Sequence, residues 1–289
     1  MTTVPPDLVA DRDLAALERV ACDVAEAAGR LVLDERPAAL GTSVKSSRTD
    51  VVTEMDQRSQ ELILDRLAAL RPDDAVLGEE EGGASGTSGV TWVVDPIDGT
   101  VNYLYGIPEF AVSVAAVVGD PAGDWWPVAG AVLAVSRAEL FHAHLGGGAR
   151  LTAHDGTRTV RTSDADDLGL SLVGTGFGYL PDRRARQGRA LAELVASVRD
   201  IRRQGSAALD LCAVACGRLD GYYETGLNPW DRAAGQLVAT EAGARVGGLT
   251  GDTPGADLTW AAAPGVAEAL SDVVRTLTTR HGIAGGAAG

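Results

Sequence analysis

The sequence predicts an α/β or α+β layered fold arranged as two lobes. Three observations carry this. Segments of helical periodicity alternate with short apolar, β-branched runs that read as strands. The 289 residues, 45% of them hydrophobic, are enough to bury a large core. No internal repeat or low-complexity linker breaks the pattern. One domain is therefore expected over residues 8–280, with lobes at 8–150 and 151–280 and a flexible tail at 281–289.

The elements can be justified in order. Leu14, Leu17, Ala21, Val24, Ala28 and Leu31 form a helical stripe. Pro37 should stop that helix near Arg36, because the residue before a proline avoids the helical region. A polar stretch, Lys45 to Asp50, leads into a second helix from about Thr53 to Leu70. Val76 to Gly78 reads as a strand emptying into Glu79-Glu80-Glu81, and the Gly- and Ser-rich Gly82 to Gly89 as a flexible loop. Trp92–Val94, Phe110–Val118, Val128–Val135 and Glu139–His144 are apolar and β-branched enough for successive strands. Beyond the tight turn at Gly146-Gly147-Gly148 come a strand at Ser171–Phe177 and helices at Arg183–Arg199 and Ala207–Gly217. A strand at Gly221–Glu224, a helix at Trp230–Gly243, a strand near Leu258–Ala262 and a helix from Val266 to about Thr278 complete the set.

With 25 basic and 40 acidic residues the net charge is −15, and the pI is near 4.6. Such acidity argues against nonspecific nucleic-acid binding and against an anionic membrane surface. An anionic substrate stays open if cations mediate the contact. No apolar run reaches the length of a membrane span, and Met1 to Leu8 has no signal-peptide pattern. Cys22, Cys212 and Cys216 form no disulfide framework, so a reducing cytoplasm is expected.

The richest segment is Asp95-Pro96-Ile97-Asp98-Gly99-Thr100-Val101-Asn102, which follows the apolar Trp92-Val93-Val94. Proline fixes φ between the two acids and glycine allows a sharp turn or close approach. A plain capped turn uses the same residues. Glu79-Glu80 at a strand end, Asp56 in the first turn of the second helix and Asp231 at the start of another add further carboxylates. Each has an ordinary structural use as a cap, a macrodipole partner or a solvated charge. If Glu79, Asp95, Asp98 and Asp231 converge, each like-charge pair at about 4 Å costs on the order of 4 kcal/mol at an effective dielectric near 20. Such a group must take up protons or bind cations. With oxygen donors only, and none of His142, His144, His154 and His281 beside these motifs, Mg²⁺ fits better than zinc.

Trp92 to Thr100 resembles the first signature of the inositol monophosphatase family. Trp230-Asp231-Arg232-Ala233-Ala234-Gly235, continuing to Glu241-Ala242-Gly243, resembles its second. Lys45-Ser46-Ser47, Asp50-Val51-Val52-Thr53-x-x-Asp56, Gly78-Glu79-Glu80 and Gly205-Ser206-Ala207-Ala208 match intervening motifs in order, and the whole resembles bacterial SuhB-type members of that family. The resemblance runs from about Leu14 to Thr278. It implies an αβαβα sandwich, a phosphatase dependent on two or three Mg²⁺ ions, lithium inhibition and commonly a homodimer.

Carried over by residue, Glu79, Asp95 and the Ile97 carbonyl would hold the first ion. Asp95, Asp98 and Asp231 would hold the second, and Glu79 would help hold a third through waters. Glu79, Thr100 and Asp56 form the implied catalytic set, with Thr100 bonded to Asp56 and orienting the attacking water. The Gly99 and Thr100 amides would meet phosphate, while Asp98, Ala207, Glu224 and Asp231 would contact substrate. Lys45 and Glu80 would be supporting groups.

The cluster of Arg183, Arg184, Arg186, Arg189, Arg199, Arg202 and Arg203 reads as a solvated helix face, with a substrate-steering rim or a dimer contact as the alternative. Asp120 to Trp126 reads as a loop extended relative to the family. The expected substrate is a small phosphorylated alcohol, first myo-inositol phosphate, with histidinol phosphate, other sugar phosphates and 3′-phosphonucleotides as alternatives. A transcription-associated regulatory protein is the competing reading of another class.

Overall fold

The computed structural model of the chain describes residues 4–37, 42–44, 51–120 and 122–284. The first half contains α1 (Leu14–Asp34), β1 (Thr42–Val44), β2 (Val51–Thr53), α2 (Glu54–Leu70), β3 (Ala75–Gly78) and β4 (Val90–Asp98). It continues through α3 (Thr100–Tyr105), β5 (Ala111–Gly119), β6 (Trp125–Ala134), β7 (Glu139–His144), β8 (Ala149–Ala153) and β9 (Gly156–Thr159). The second half contains β10 (Leu172–Thr175), α4 (Pro181–Leu194), β11 (Asp200–Arg202), α5 (Ala207–Ala215) and β12 (Gly221–Glu224). It closes with α6 (Pro229–Glu241), β13 (Arg245–Gly247), β14 (Thr259–Ala262) and α7 (Ala267–Arg280). Among the described residues, no helix is long and apolar enough to cross a membrane.

Strands β3 to β9 form a seven-stranded sheet in sequence order, and a five-stranded sheet runs β11-β10-β12-β14-β13. Three apolar clusters show how they stack. Leu17, Ala21 and Val24 of α1 and Ile63 of α2 pack with Trp92, Val94 and Val112 of the large sheet. The other face of that sheet, through Val93, Ala115 and Val132, packs on Leu211 of α5 and Ala234 and Leu237 of α6. Leu270 and Val274 of α7 and Ala190 of α4 close the far side of the small sheet. The order is helix, sheet, helix, sheet, helix, as expected.

Because β5 is covered on both faces, it reads as a continuous apolar run. Val112, Val114, Ala116 and Val118 face α1 and α2, whereas Ala111, Ala115 and Val117 face α5 and α6. The Asp120–Trp126 segment is shorter as a loop than expected. Trp125 and Trp126 already belong to β6, paired with Gly119 and Val118, and the Asp120 N–H donates to the Asp124 carbonyl at 2.9 Å. At the other end, α4 stops at Leu194 rather than Arg199, and β11 follows as an edge strand. After α7 the chain is packed as far as Ile283, which is 4% exposed.

One polar knot fastens α1 to the sheet. Glu18 accepts from His142 Nδ1 at 2.6 Å, pairs with His144 Nδ1 and lies 3.3 Å from Arg150. Burial pushes its carboxyl up, but the hydrogen bonds and charge of both histidines prevail and bring it down to about 2. A depressed carboxyl stabilises the fold above its ordinary value, and that contribution is lost as pH falls through the folded value. Glu18→Gln should therefore cost about 2–3 kcal/mol at pH 6, a melting shift of roughly 5 °C for a chain of this size. The gap from wild type should shrink below pH 4; a constant gap across pH would refute the assignment.

Candidate active site

The site begins with a fault in a strand. Along β4, Asp95 pairs with Ser113 and Asp98 with Ala111, so three steps on one strand match two on the other. This is a β-bulge, and it puts one extra residue into the ladder. In a regular strand, residues three apart point to opposite faces. Here Val94 and Ile97 both pack toward α1 and α2, and Asp95 and Asp98 are left together on the α5–α6 side with Val93. Asp95 holds the bulge by accepting from the Ile97 N–H at 3.0 Å. Gly99 then turns with φ of 95°, and a Cβ there would lie 2.9 Å from the Glu109 carbonyl oxygen.

Around this pair the other carboxylates assemble. Oxygens of Asp95, Asp98 and Asp231 all lie within 4.8 Å of one another. Glu79, whose N–H donates to the Val94 carbonyl at 3.1 Å, shares a side-chain hydrogen bond with Asp95. Burial and then the charges of Glu79 and Asp98 hold both Asp95 and Asp231 well above the usual carboxylate range. Asp98 is pushed up to about 6 by burial, against hydrogen bonds from Ser206 Oγ at 2.6 Å and the Ala208 N–H at 2.8 Å. Protons or cations must balance such a group.

Two acids whose ordinary use is helix capping serve both purposes. Asp56 Oδ2 accepts from the Thr53 N–H at 2.8 Å in a capping box, while Oδ1 accepts from Thr100 Oγ1 at 3.0 Å. Burial pushes its carboxyl up to about 6. Asp231 Oδ2 caps α6 through the Asn228 N–H at 2.6 Å and still reaches the cluster.

Glu79, Asp95, Asp98 and Asp231 line a cleft of about 370 Å³ between the sheets, together with Ile97, Gly99, Thr100, Ala207 and Glu224, while Asp56 lies fully buried outside the lining and meets it through Thr100. Glu224 accepts from the Tyr222 hydroxyl at 2.7 Å, and burial pushes it up to about 7. Glu80 is not among the lining residues; its backbone is pinned to the Gln60 side chain at 2.9 Å instead. Lys45 lies outside the described residues.

Arg183 corrects the reading of a solvated basic face, whereas Arg184, Arg189, Arg199, Arg202 and Arg203 are exposed as that reading expects. Arg183 is 5% exposed, and it and Arg203 line the cleft with Gly176 to Leu180. The signal for this was Gly176-Phe177-Gly178. A Cβ at Gly176 would fall 1.9 Å from Glu224 Oε2, and one at Gly178 would fall 3.1 Å from Arg183 Cδ. Glycines spaced by two after a strand marked side chains approaching the backbone.

Five alternating layers, with carboxylates gathered where the middle helices meet the first sheet, define a phosphatase of the inositol monophosphatase superfamily. The sequence model of the inositol monophosphatase family matches residues 13–281, and the chain belongs to that family. It is 48% identical over 276 residues to the inositol-1-monophosphatase SuhB of Mycobacterium tuberculosis, covering 90% of this chain and 93% of that one. It is 38% identical over 245 residues to the Nus factor SuhB of Escherichia coli K12, covering 80% and 85% respectively. The solved Mycobacterium tuberculosis SuhB structure superimposes with a TM-score of 0.78 at 45% identity, over 92% of this chain and 98% of that one.

Proposed function

We propose that the chain is a Mg²⁺-dependent phosphomonoester hydrolase acting on myo-inositol 1-phosphate or a closely related sugar phosphate. The observation that supports it most is the meeting of Asp95, Asp98 and Asp231 with Thr100 and Glu224 in one cleft. The donors are oxygens alone and crowded enough to need a cation, which suits Mg²⁺. Glu79, Asp95 and the Ile97 carbonyl would hold one ion, and Asp95, Asp98 and Asp231 a second, with Glu79 helping a third through waters. When bound, the ions supply a nucleophilic water at neutral pH and neutralise charge on the phosphoryl group and leaving oxygen.

The chain's own groups do the positioning. Thr100 Oγ1, within 3.0 Å of Asp56 Oδ1 and 3.1 Å of the Ile97 carbonyl, orients the attacking water. Asp56 caps α2 with its other oxygen, so the pair is held by the fold. The Gly99 and Thr100 amides take phosphate oxygens, and Asp98, Ala207 and Glu224 take substrate hydroxyls. In-line transfer needs mainly this positioning and charge balance. The working form in this reading is a cytoplasmic homodimer with no membrane or direct nucleic-acid partner.

A substrate panel with phosphate detection, run in Mg²⁺ with and without Li⁺, tests the reading. Inositol phosphate should turn over fastest, and Li⁺ should inhibit. Equal or better turnover of histidinol phosphate would overturn the inositol assignment, and no turnover of any monoester would overturn the phosphatase reading. A second reading, a regulatory partner of the transcription machinery, draws on the Nus factor name of one relative. A stable partner captured equally by wild type and by Asp98→Ala would favour it.

A further inference from the structure

Behind the cleft, two adjacent strands hold Glu224 in place. On β12, Tyr222 and Glu224 are two residues apart and so share a face. On the neighbouring β10, Gly174 pairs with Tyr222, and Gly176 stands two residues further along the chain. A Cβ at Gly174 would lie 3.3 Å from Tyr222 Cδ2, just as one at Gly176 would strike the Glu224 carboxylate. The two glycines thus form a bed, with the phenol ring across the first and the carboxylate across the second. Tyr222 is fully buried, packs with Leu211 and Leu219, and is not among the residues that line the cleft. Its hydroxyl nonetheless reaches Glu224 Oε2, at 2.7 Å. Burial holds that hydroxyl well above its ordinary value, so it keeps its proton and acts as a donor. The other acid near the ring, Asp210, is already engaged, its Oδ1 accepting from Gln204 Nε2 at 2.6 Å.

We propose that Tyr222 is a positioning residue for the leaving alcohol. By holding Glu224 Oε2 from behind, it presents Oε1 to a substrate hydroxyl, and the cleft thereby selects phosphomonoesters whose alcohol carries a further free hydroxyl. This rests on the phosphatase reading, in which Glu224 meets substrate hydroxyls. A glutamate free to change rotamer would have to be ordered on binding, which weakens affinity, whereas one already held does not. Tyr222 lies outside the lining and acts only through Glu224.

Steady-state assays of wild type, Tyr222→Phe, Glu224→Ala and the double variant test this. KM for myo-inositol 1-phosphate is read against the inhibition constant of cyclohexyl phosphate, which has a six-membered ring and a phosphate but no hydroxyl on the ring. Tyr222→Phe should raise KM about tenfold relative to that inhibition constant, with kcat changed much less. In the Glu224→Ala background the same substitution should have almost no effect. Phenylalanine keeps the ring and removes only the hydroxyl, and thermal melts confirm that the variants fold. An equal rise in both constants, or the same tenfold rise without Glu224, overturns the proposal and leaves the phosphatase reading standing. No turnover of myo-inositol 1-phosphate by wild type overturns the substrate reading, and the proposal with it.

Discussion

Asp95→Asn should reduce turnover about a thousandfold or more and at the same time raise the melting temperature in EDTA. The two effects share one cause. Asp95 is 1% exposed and its carboxyl is held high by burial and by the charges of Glu79, Asp98 and Asp231. Asparagine preserves its volume and can still accept the Ile97 N–H, but it removes one charge from every pair. At on the order of 4 kcal/mol per close pair before protonation relieves it, even a fraction of that strain is several degrees of melting temperature. With cation present the order reverses, because Asp95 would be a ligand to both proposed ions. A thousandfold loss corresponds to about 4 kcal/mol of transition-state stabilisation. Near-normal turnover in steady-state assays, or a lower melting temperature in EDTA, would contradict this account.

The second large effect concerns pH. Asp56 and Asp98 are raised to about 6 and Glu224 to about 7, with Asp95 and Asp231 also well above the usual range. A carboxyl raised on folding stabilises the native state below its unfolded value, near 4, and that stabilisation is lost as pH rises through the folded value. A shift of about two pH units is worth about 3 kcal/mol, and Asp56 and Asp98 each contribute one such amount. The cation-free protein should therefore lose stability between pH 5 and 7.5, while saturating Mg²⁺ restores it by binding only the native state. Melts in EDTA and in Mg²⁺ should diverge steadily over that window. A gap that does not change with pH would break the link between the buried acids and the cation.

Much of this was legible beforehand, for identifiable reasons. α1, α2 and β7 were expected where they lie, because each buries one stripe or face against a neighbour. β9 was not, because all four of its residues are exposed and carry no apolar signature. β11 and β13 are three residues each, too short for periodicity to register. Of β4 the sequence marks only Trp92–Val94, because two acids and a proline do not look like a sheet interior; the bulge is what admits them. The acidic half of the site could be read because Glu79, Asp98 and Asp231 stand where elements begin or end, and Asp95 directly follows the apolar Trp92–Val94. The arginine of the cleft could not. An arginine on a polar helix reads as solvated, and only the fold shows Arg183 turned inward against Gly178 and Gly226.

The bulge in β4 also sets a rule of parity. Every residue before it keeps odd and even positions on opposite sides of the sheet, and one added or lost residue would swap them. Between Asp95 and Asp98 that swap has already been made, and both acids fall on the same side because of it. Shortening Pro96-Ile97 by one residue would remove the bulge and restore a regular ladder, in which both acids still share a side but the hydrogen bond from the Ile97 N–H to Asp95 that shapes the bulge is lost. Length changes can be absorbed in the turns on either side of this strand. In these four residues, chain length is itself part of the site.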